Sequence, residues 1–350
     1  ALLSATAATI LGTLAAISIL LTGCGKKQHA GSTKDGTATA PWPGYTVVQE
    51  LGSSASELID MEGRLVHRWP GGYPTGGSAF LRPDGSLLRV GILQPNAFNA
   101  PCPGMSGAAE IVDWNGNQTW TFEFARSTAT LHHDIVPMPN GNILMIGVEK
   151  KTKEEQLEAG RDPARMRVED MWFDFLIEVK PTGRLGGEIV WEWRAWDHLV
   201  QDFDPEKKNY GVVADQPDKI DINFIEENVL NQGNAPIDRL RSLGYVSGGN
   251  SGPQAGTGLP DWSHVNSVAY NPETNEILMS ARDMGEIWII RHGVAKDAKD
   301  SGIIYRWGNP QAYQRGTPKD RKLFGQHDAH WIAPGFKGAG NIMFFNNGEG

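Results

Sequence analysis

At 350 residues the chain is long enough to bury a large core, and its 42 Gly, 21 Pro and 12 Trp favour a turn-rich β protein over a helical bundle. A formal net charge of -9 argues against a nucleic-acid partner, while leaving room for a local basic pocket that holds an anion. The two cysteines, Cys24 and Cys102, allow at most one disulfide within the chain.

Residues 1–21 are almost uninterruptedly apolar and small, and they run into Leu21-Thr22-Gly23-Cys24-Gly25-Lys26-Lys27. This stretch resembles the lipobox of a bacterial lipoprotein signal, which makes residues 1–23 a signal peptide and leaves a lipidated Cys24. A signal-anchor helix is the alternative, because about 20 apolar residues span a bilayer. Either reading exports the rest of the chain and tethers it to a membrane, on the periplasmic or cell-surface side. Residues 24–44 then form a flexible linker rich in Gly, Ser, Thr and Ala. No initiator Met or charged segment precedes the apolar run, so the sequence is expected to lack its true start.

From residue 45 onward two patterns repeat. The first is an acidic and apolar strand, a turn glycine and a strand ending in tryptophan, as in Glu57 to Trp69, Glu110 to Phe122, Leu176 to Trp193 and Glu286 to Trp307. The second is an apolar hairpin with a polar turn. Leu131-His132-His133-Asp134 leads through Pro139-Asn140-Gly141-Asn142 to Ile143-Leu144-Met145-Ile146. Trp262-Ser263-His264-Val265-Asn266-Ser267 leads through Asn271-Pro272-Glu273-Thr274-Asn275 to a strand ending at Arg282. Gln326-His327-Asp328-Ala329-His330 leads through a Gly-rich turn to Ile342-Met343-Phe344-Phe345. An earlier copy around Ser78 carries serine where the histidine is expected. Placing the first pattern ahead of each hairpin makes units of about four strands, the mark of a β-propeller. About four such blades fit before Gly350, with insertions near 150–170, charged and helical in character, and 200–260, rich in Asp, Asn, Gly and Pro.

The hairpin at Glu273 sets His264 opposite Arg282, and period-two alternation puts Asn266 on the face of His264. Repeated hairpins then bring His133, His264 and His327 to one centre, with Arg282 to bind an anion.

These motifs together (HHD with PNGN, SHVNS followed by Arg282, and QHDA) resemble the PAPS-independent arylsulfate sulfotransferase family of exported bacterial enzymes. The stretch Trp191 to Leu199 is similar to a segment in one branch of it. The resemblance implies a six-bladed propeller that moves a sulfuryl group from an aryl sulfate to a phenol by a ping-pong cycle through a sulfohistidine. The family nucleophile falls on His327, with His264, Asn266 and Arg282 as its partners. The remaining histidine falls on His133, with His132 as the alternative. Neutral imidazole suits nucleophilic attack on sulfur, and Arg282 and Asn266 suit charge spread over sulfuryl oxygens. No nucleotide cofactor or metal is required, and no Walker or Rossmann glycine pattern is present. The resemblance leaves homodimer formation, the natural donor and the acceptor open.

Two other classes compete. Three histidines could hold a divalent metal for hydrolysis, sulfatase chemistry included, although Arg282 would repel the ion. A surface propeller lipoprotein without catalysis is the third.

Overall fold

The computed structural model describes residues 43–99, 104–166, 168–225, 260–295, 298 and 302–348. Cys24, Cys102, the expected signal segment, nearly all of the linker and residues 226–259 of the second expected insertion lie outside the described residues.

The described chain is all-β, with one short helix and a few 3-10 turns. It runs as a series of antiparallel sheets, each threaded strand to neighbouring strand. The first sheet has three strands, β1 (Thr46–Val48), β2 (Ala55–Ile59) and β3 (Leu65–Pro70). The second has four, β4 (Thr75–Leu81), β5 (Leu87–Ile92), β6 (Gly107–Val112) and β7 (Gln118–Glu123). The third joins a two-residue β8 (Ala125–Arg126) to β9 (Ala129–Pro137), β10 (Ile143–Lys151), β11 (Met171–Pro181) and β12 (Gly187–Arg194). A short parallel pair, β13 (Leu199–Val200) and β14 (Ile220–Asp221), follows it. The next four-stranded sheet holds β15 (Val265–Asn271), β16 (Glu276–Ala281), β17 (Glu286–Arg291) and β18 (Ile303–Trp307). A hairpin of β19 (His327–Trp331) and β20 (Ile342–Phe345) comes last.

The frame of the repeat differs from the expected one. Each tryptophan-ending pair follows the hairpin of its own sheet: β6 and β7 pair behind β4 and β5, and β17 and β18 behind β15 and β16. Glu57 to Trp69 therefore belongs to a separate sheet with β1, ahead of the Ser78 hairpin.

Sheets stack face to face, which explains why the strands read as continuous apolar runs. One face of the third sheet packs Ile135, Met145, Phe175 and Ile177 against Leu88, Val90, Ala109 and Trp120 of the second. Its other face packs Leu144, Ile146, Phe173 and Leu176 against Val268, Ile277, Met279 and Trp288. Buried on both sides, Ile143 to Val148 show no alternation. Each such side chain contributes about 1.5–3 kcal/mol of burial free energy.

The first strands of successive sheets lie side by side and are pegged by side chain to backbone hydrogen bonds. Ser78 Oγ accepts from Ile135 N–H at 3.3 Å, Asp134 Oδ2 from Val268 N–H at 2.9 Å, and Ser267 Oγ from Ala329 N–H at 2.9 Å. These pegs make Ser78, Asp134 and Ser267 the equivalent residues of three sheets. Ser78 thus corresponds to Asp134 and not to a histidine, and Gly77 takes the place of His133. There is no room for a side chain at Gly77, because a Cβ there would sit 1.6 Å from the carbonyl oxygen of His133. In the same frame Asn266, not His264, is the counterpart of His133 and His327.

The charged segment expected near 150–170 connects β10 to β11 and contains helix α1 (Lys153–Glu158), opened by a Thr152/Glu155 capping box. Among the described residues no helix is long and apolar enough to cross a membrane.

Candidate active site

The three expected histidines all lie where an inner strand departs from regular geometry. His133 and His264 have φ of 54° and 48°, and Asp328, beside His327, has 54°. These left-handed values cost a side-chain-bearing residue about 1–3 kcal/mol. Register shifts accompany them: between Met145 and Gly147 opposite β9, between Val265 and Val268, and between His327 and His330. A bulge re-aims side chains, so the alternation expected to align Asn266 with His264 is interrupted here. The expected pairing at the hairpin mouth is present: Val265 faces Ala281, and Arg282 N–H donates to His264 O at 3.2 Å.

His133 and His264 meet edge to face with ring centres 4.5 Å apart. Gly104 seals another side of His133, since a Cβ there would fall 2.3 Å from its Cε1. Behind His133 stands His132, almost wholly buried, with the two Nδ1 atoms 2.8 Å apart. His132 Nε2 lies 2.9 Å from Asp174 Oδ1, off the line of a straight hydrogen bond. Asp174 Oδ2 accepts from Ser263 Oγ and from Val265 N–H.

His264 Nδ1 is 2.6 Å from Asp261 Oδ2. Segment 260–262 is tied to the start of β11, where Trp172 N–H donates to Pro260 O at 2.7 Å, and Trp262 Nε1 donates to Phe224 O at 3.0 Å. The carboxylate is thereby fixed beside the ring.

His327 Nδ1 is 2.9 Å from Gly325 O. Asn347 Nδ2, a donor, lies 3.2 Å from the same Nδ1, so the shorter contact, to a carbonyl oxygen that only accepts, favours the proton on Nδ1 and a lone pair on Nε2 of the neutral ring. Arg282 holds Asp283 with Nη1, and its Nη2 lies 3.8 Å from where a Gly325 Cβ would be, over the turn that holds His327. Asn266 is buried and donates to Gln326 O at 2.8 Å, while Gln326 Nε2 donates to Ala281 O and Glu286 O. Asn266 therefore anchors the peptide that precedes His327.

The three rings differ electrostatically. Burial, reinforced by the neighbouring histidines, drops His133 well below the ordinary imidazole range. Burial also opposes charge on His264, but the charge and hydrogen bond of Asp261 outweigh it and the net shift is upward. Burial lowers His327 most; the hydrogen bond with Gly325 O pulls it back up in part, and Arg282 and His264 lower it further.

Sequence reasoning named these histidines, Arg282 and Asn266 but missed Asp174, Asp261, Asp283 and Gly104. Two of these left a signal: Asp174 is a lone acid in the apolar run Met171 to Ile177, and Asp261 stands three residues before His264. Other described histidines have partners of their own: His292 Nε2 pairs with Glu178 Oε2 at 2.7 Å, His67 stacks on Trp114, and His198 stacks on Trp193. Among the described residues no group of three or more His, Cys, Asp or Glu is disposed to hold a metal ion.

The family model for arylsulfotransferase (ASST) matches residues 101–350. The chain belongs to the arylsulfotransferase family. No curated protein matches the chain. Among solved structures it is similar to Kuenenia stuttgartiensis hydrazine synthase, at 11% identity and a TM-score of 0.36, over 76% of this chain and 59% of that one. It is also similar to a protein of unknown function from Bacteroides caccae, at 11% identity and a TM-score of 0.33, over 83% of this chain and 80% of that one. The chain thus spans 59% of the hydrazine synthase chain it matches.

Proposed function

We propose that the chain is a PAPS-independent arylsulfate sulfotransferase that moves a sulfuryl group from an aryl sulfate to a phenol in a ping-pong cycle. The observation that carries this reading is the contact of the His133 and His264 rings, delivered by β9 and the β15–β16 hairpin, with His327 of β19 and Arg282 close enough to act on them electrostatically. In the first half the His327 Nε2 lone pair attacks sulfur, an N–S bond forms, and the S–O bond to the aryl group breaks. Arg282 offsets charge on the sulfuryl oxygens. Asn266, spent on Gln326 O, serves by holding the His327 peptide in place. In the second half a phenol oxygen attacks the sulfohistidine and releases His327. The sheets are read as blades of a six-bladed propeller, and Cys24 as the lipid anchor of an exported enzyme.

A metal-dependent hydrolase and a non-catalytic propeller lipoprotein remain the alternatives to be separated by experiment. Purified full-length protein is expected to release 4-nitrophenol from 4-nitrophenyl sulfate only when a phenol acceptor is added. His327→Ala is expected to lower this release by about 10³-fold or more, and to abolish a sulfuryl mass gain on the peptide carrying His327. Release without phenol would favour a sulfatase; full release by H327A would overturn the nucleophile.

A further inference from the structure

His133 and His264 look alike in sequence, and either could serve as the proton donor to a departing phenol. Their surroundings differ in a way that assigns the role. We propose that Asp261 is a positioning residue that makes His264, and not His133, the group that protonates the leaving phenolate and deprotonates the acceptor. This rests on the sulfuryl-transfer reading above.

An ionised carboxylate only accepts, so Asp261 Oδ2, 2.6 Å from His264 Nδ1, keeps a proton on that nitrogen. It also stabilises the imidazolium, in which Nε2 is a donor too. The opposite holds for His133. Asp174 accepts from Ser263 and Val265, and although its Oδ1 lies 2.9 Å from His132 Nε2, neither of those two atoms completes a hydrogen bond. The Nδ1 atoms of His132 and His133, 2.8 Å apart, are placed to share one proton, which either ring can carry. The hydrogen-bond partner of the His133 ring is thus another imidazole and not a carboxylate, so nothing bonded to it favours a cation there. A second cation at His133 would moreover stand against the ring of His264, whose centre is 4.5 Å away.

The charged and titratable groups around His264 are Asp261, Asp283, Arg282, His133 and His327. Asp261 is the one among them shown bonded to the ring. The proton balance closes within one residue. As S–O breaks, its electron pair goes to the phenol oxygen, which takes the proton from His264 Nε2. In the second half the acceptor O–H returns a proton to that Nε2 as its oxygen binds sulfur and the N–S bond breaks.

The test uses leaving groups that do and do not need a proton. In Asp261→Asn, kcat/KM for phenyl sulfate is expected to fall about 10²-fold, while 4-nitrophenyl sulfate, whose phenolate is a stable anion, falls less than about threefold. The basic limb of the phenyl sulfate pH profile is expected to move to lower pH. Asp261→Glu, which keeps the charge, should restore much of the loss. An equal fall for both donors with an unmoved limb would mean a merely structural role and overturn the proposal. Independently of any variant, ¹⁵N shifts of the wild-type histidines at pH 6.5 should show His264 more than half imidazolium and His133 neutral; the reverse would also overturn it. Failure of the wild-type protein to transfer from either donor would sink the sulfotransferase reading itself.

Discussion

The site residues owe their differences to near neighbours more than to residue type. His133 is held neutral by burial among like rings, while His264 is favoured as a cation by one carboxylate. Small residues matter as much as charged ones. Gly104 adopts φ of 82° and faces the His133 ring so closely that a Cβ would fall 2.4 Å from Nε2. The ring cannot retreat freely, since His132 and His264 occupy other sides. Gly104→Ala is therefore expected to reduce phenol-dependent nitrophenol release at least about tenfold while far-UV circular dichroism stays unchanged, because displacements of about 1 Å in a site cost up to about 10²-fold. Wild-type turnover in this variant would show that His133 does not need its present orientation.

At the scale of strands and sheets, the peg hydrogen bonds set where each inner strand stands relative to the next. Asp134 is the peg with a charge. Burial pushes its carboxyl up to about 6, against opposing hydrogen bonds from Ser78, Val268 and Ile135, with Asp328 adding to the rise. A raised carboxyl holds its proton in the folded chain after the unfolded chain has released it. Its contribution to stability is thus fully present below the unfolded value of 3.8 and is lost as pH rises through about 6. The unfolding free energy of wild type minus that of Asp134→Asn is expected to fall by up to about 3 kcal/mol between about pH 4 and pH 7 and then level off. Urea titrations at several pH values would read this. A flat or rising difference would show that the carboxyl is not desolvated between β9 and β15. The pegs also explain why the inner strands could not be aligned by histidine alone: an aspartate, a serine and a serine share the structural position, and while His133 and His327 are counterparts, Asn266 and not His264 stands in their place on β15.

For the molecule as a whole, sheets buried on both faces make the catalytic groups inseparable from the stacking. His133, His264 and His327 come from three different sheets, so no single sheet carries the site. The tether is a separate matter. If Cys24 is the lipid anchor, Cys24→Ala is expected to shift the protein from the membrane fraction to the soluble fraction with nitrophenol release per molecule unchanged. Retention in the membrane would favour the signal-anchor helix instead, and loss of specific activity would tie the tether to the site.

The sequence by itself determined the all-β character, through its Gly, Pro and Trp content and its apolar runs between polar turns. It also anticipated His264 beside Arg282, although the pairs from Asn271–Glu276 to Val268–Met279 run one residue out of that register and the bulge between Val268 and Val265 restores it. The tertiary structure alone decided which strands share a sheet, which residue of each inner strand is equivalent to which, and which carboxylate stands behind each imidazole. These depend on contacts between residues far apart in the chain: Asp174 lies many positions from Ser263, and Asp134 from Val268, yet each pair shares a hydrogen bond. Local patterning specifies what a strand buries; only the stacked sheets specify what it is buried against.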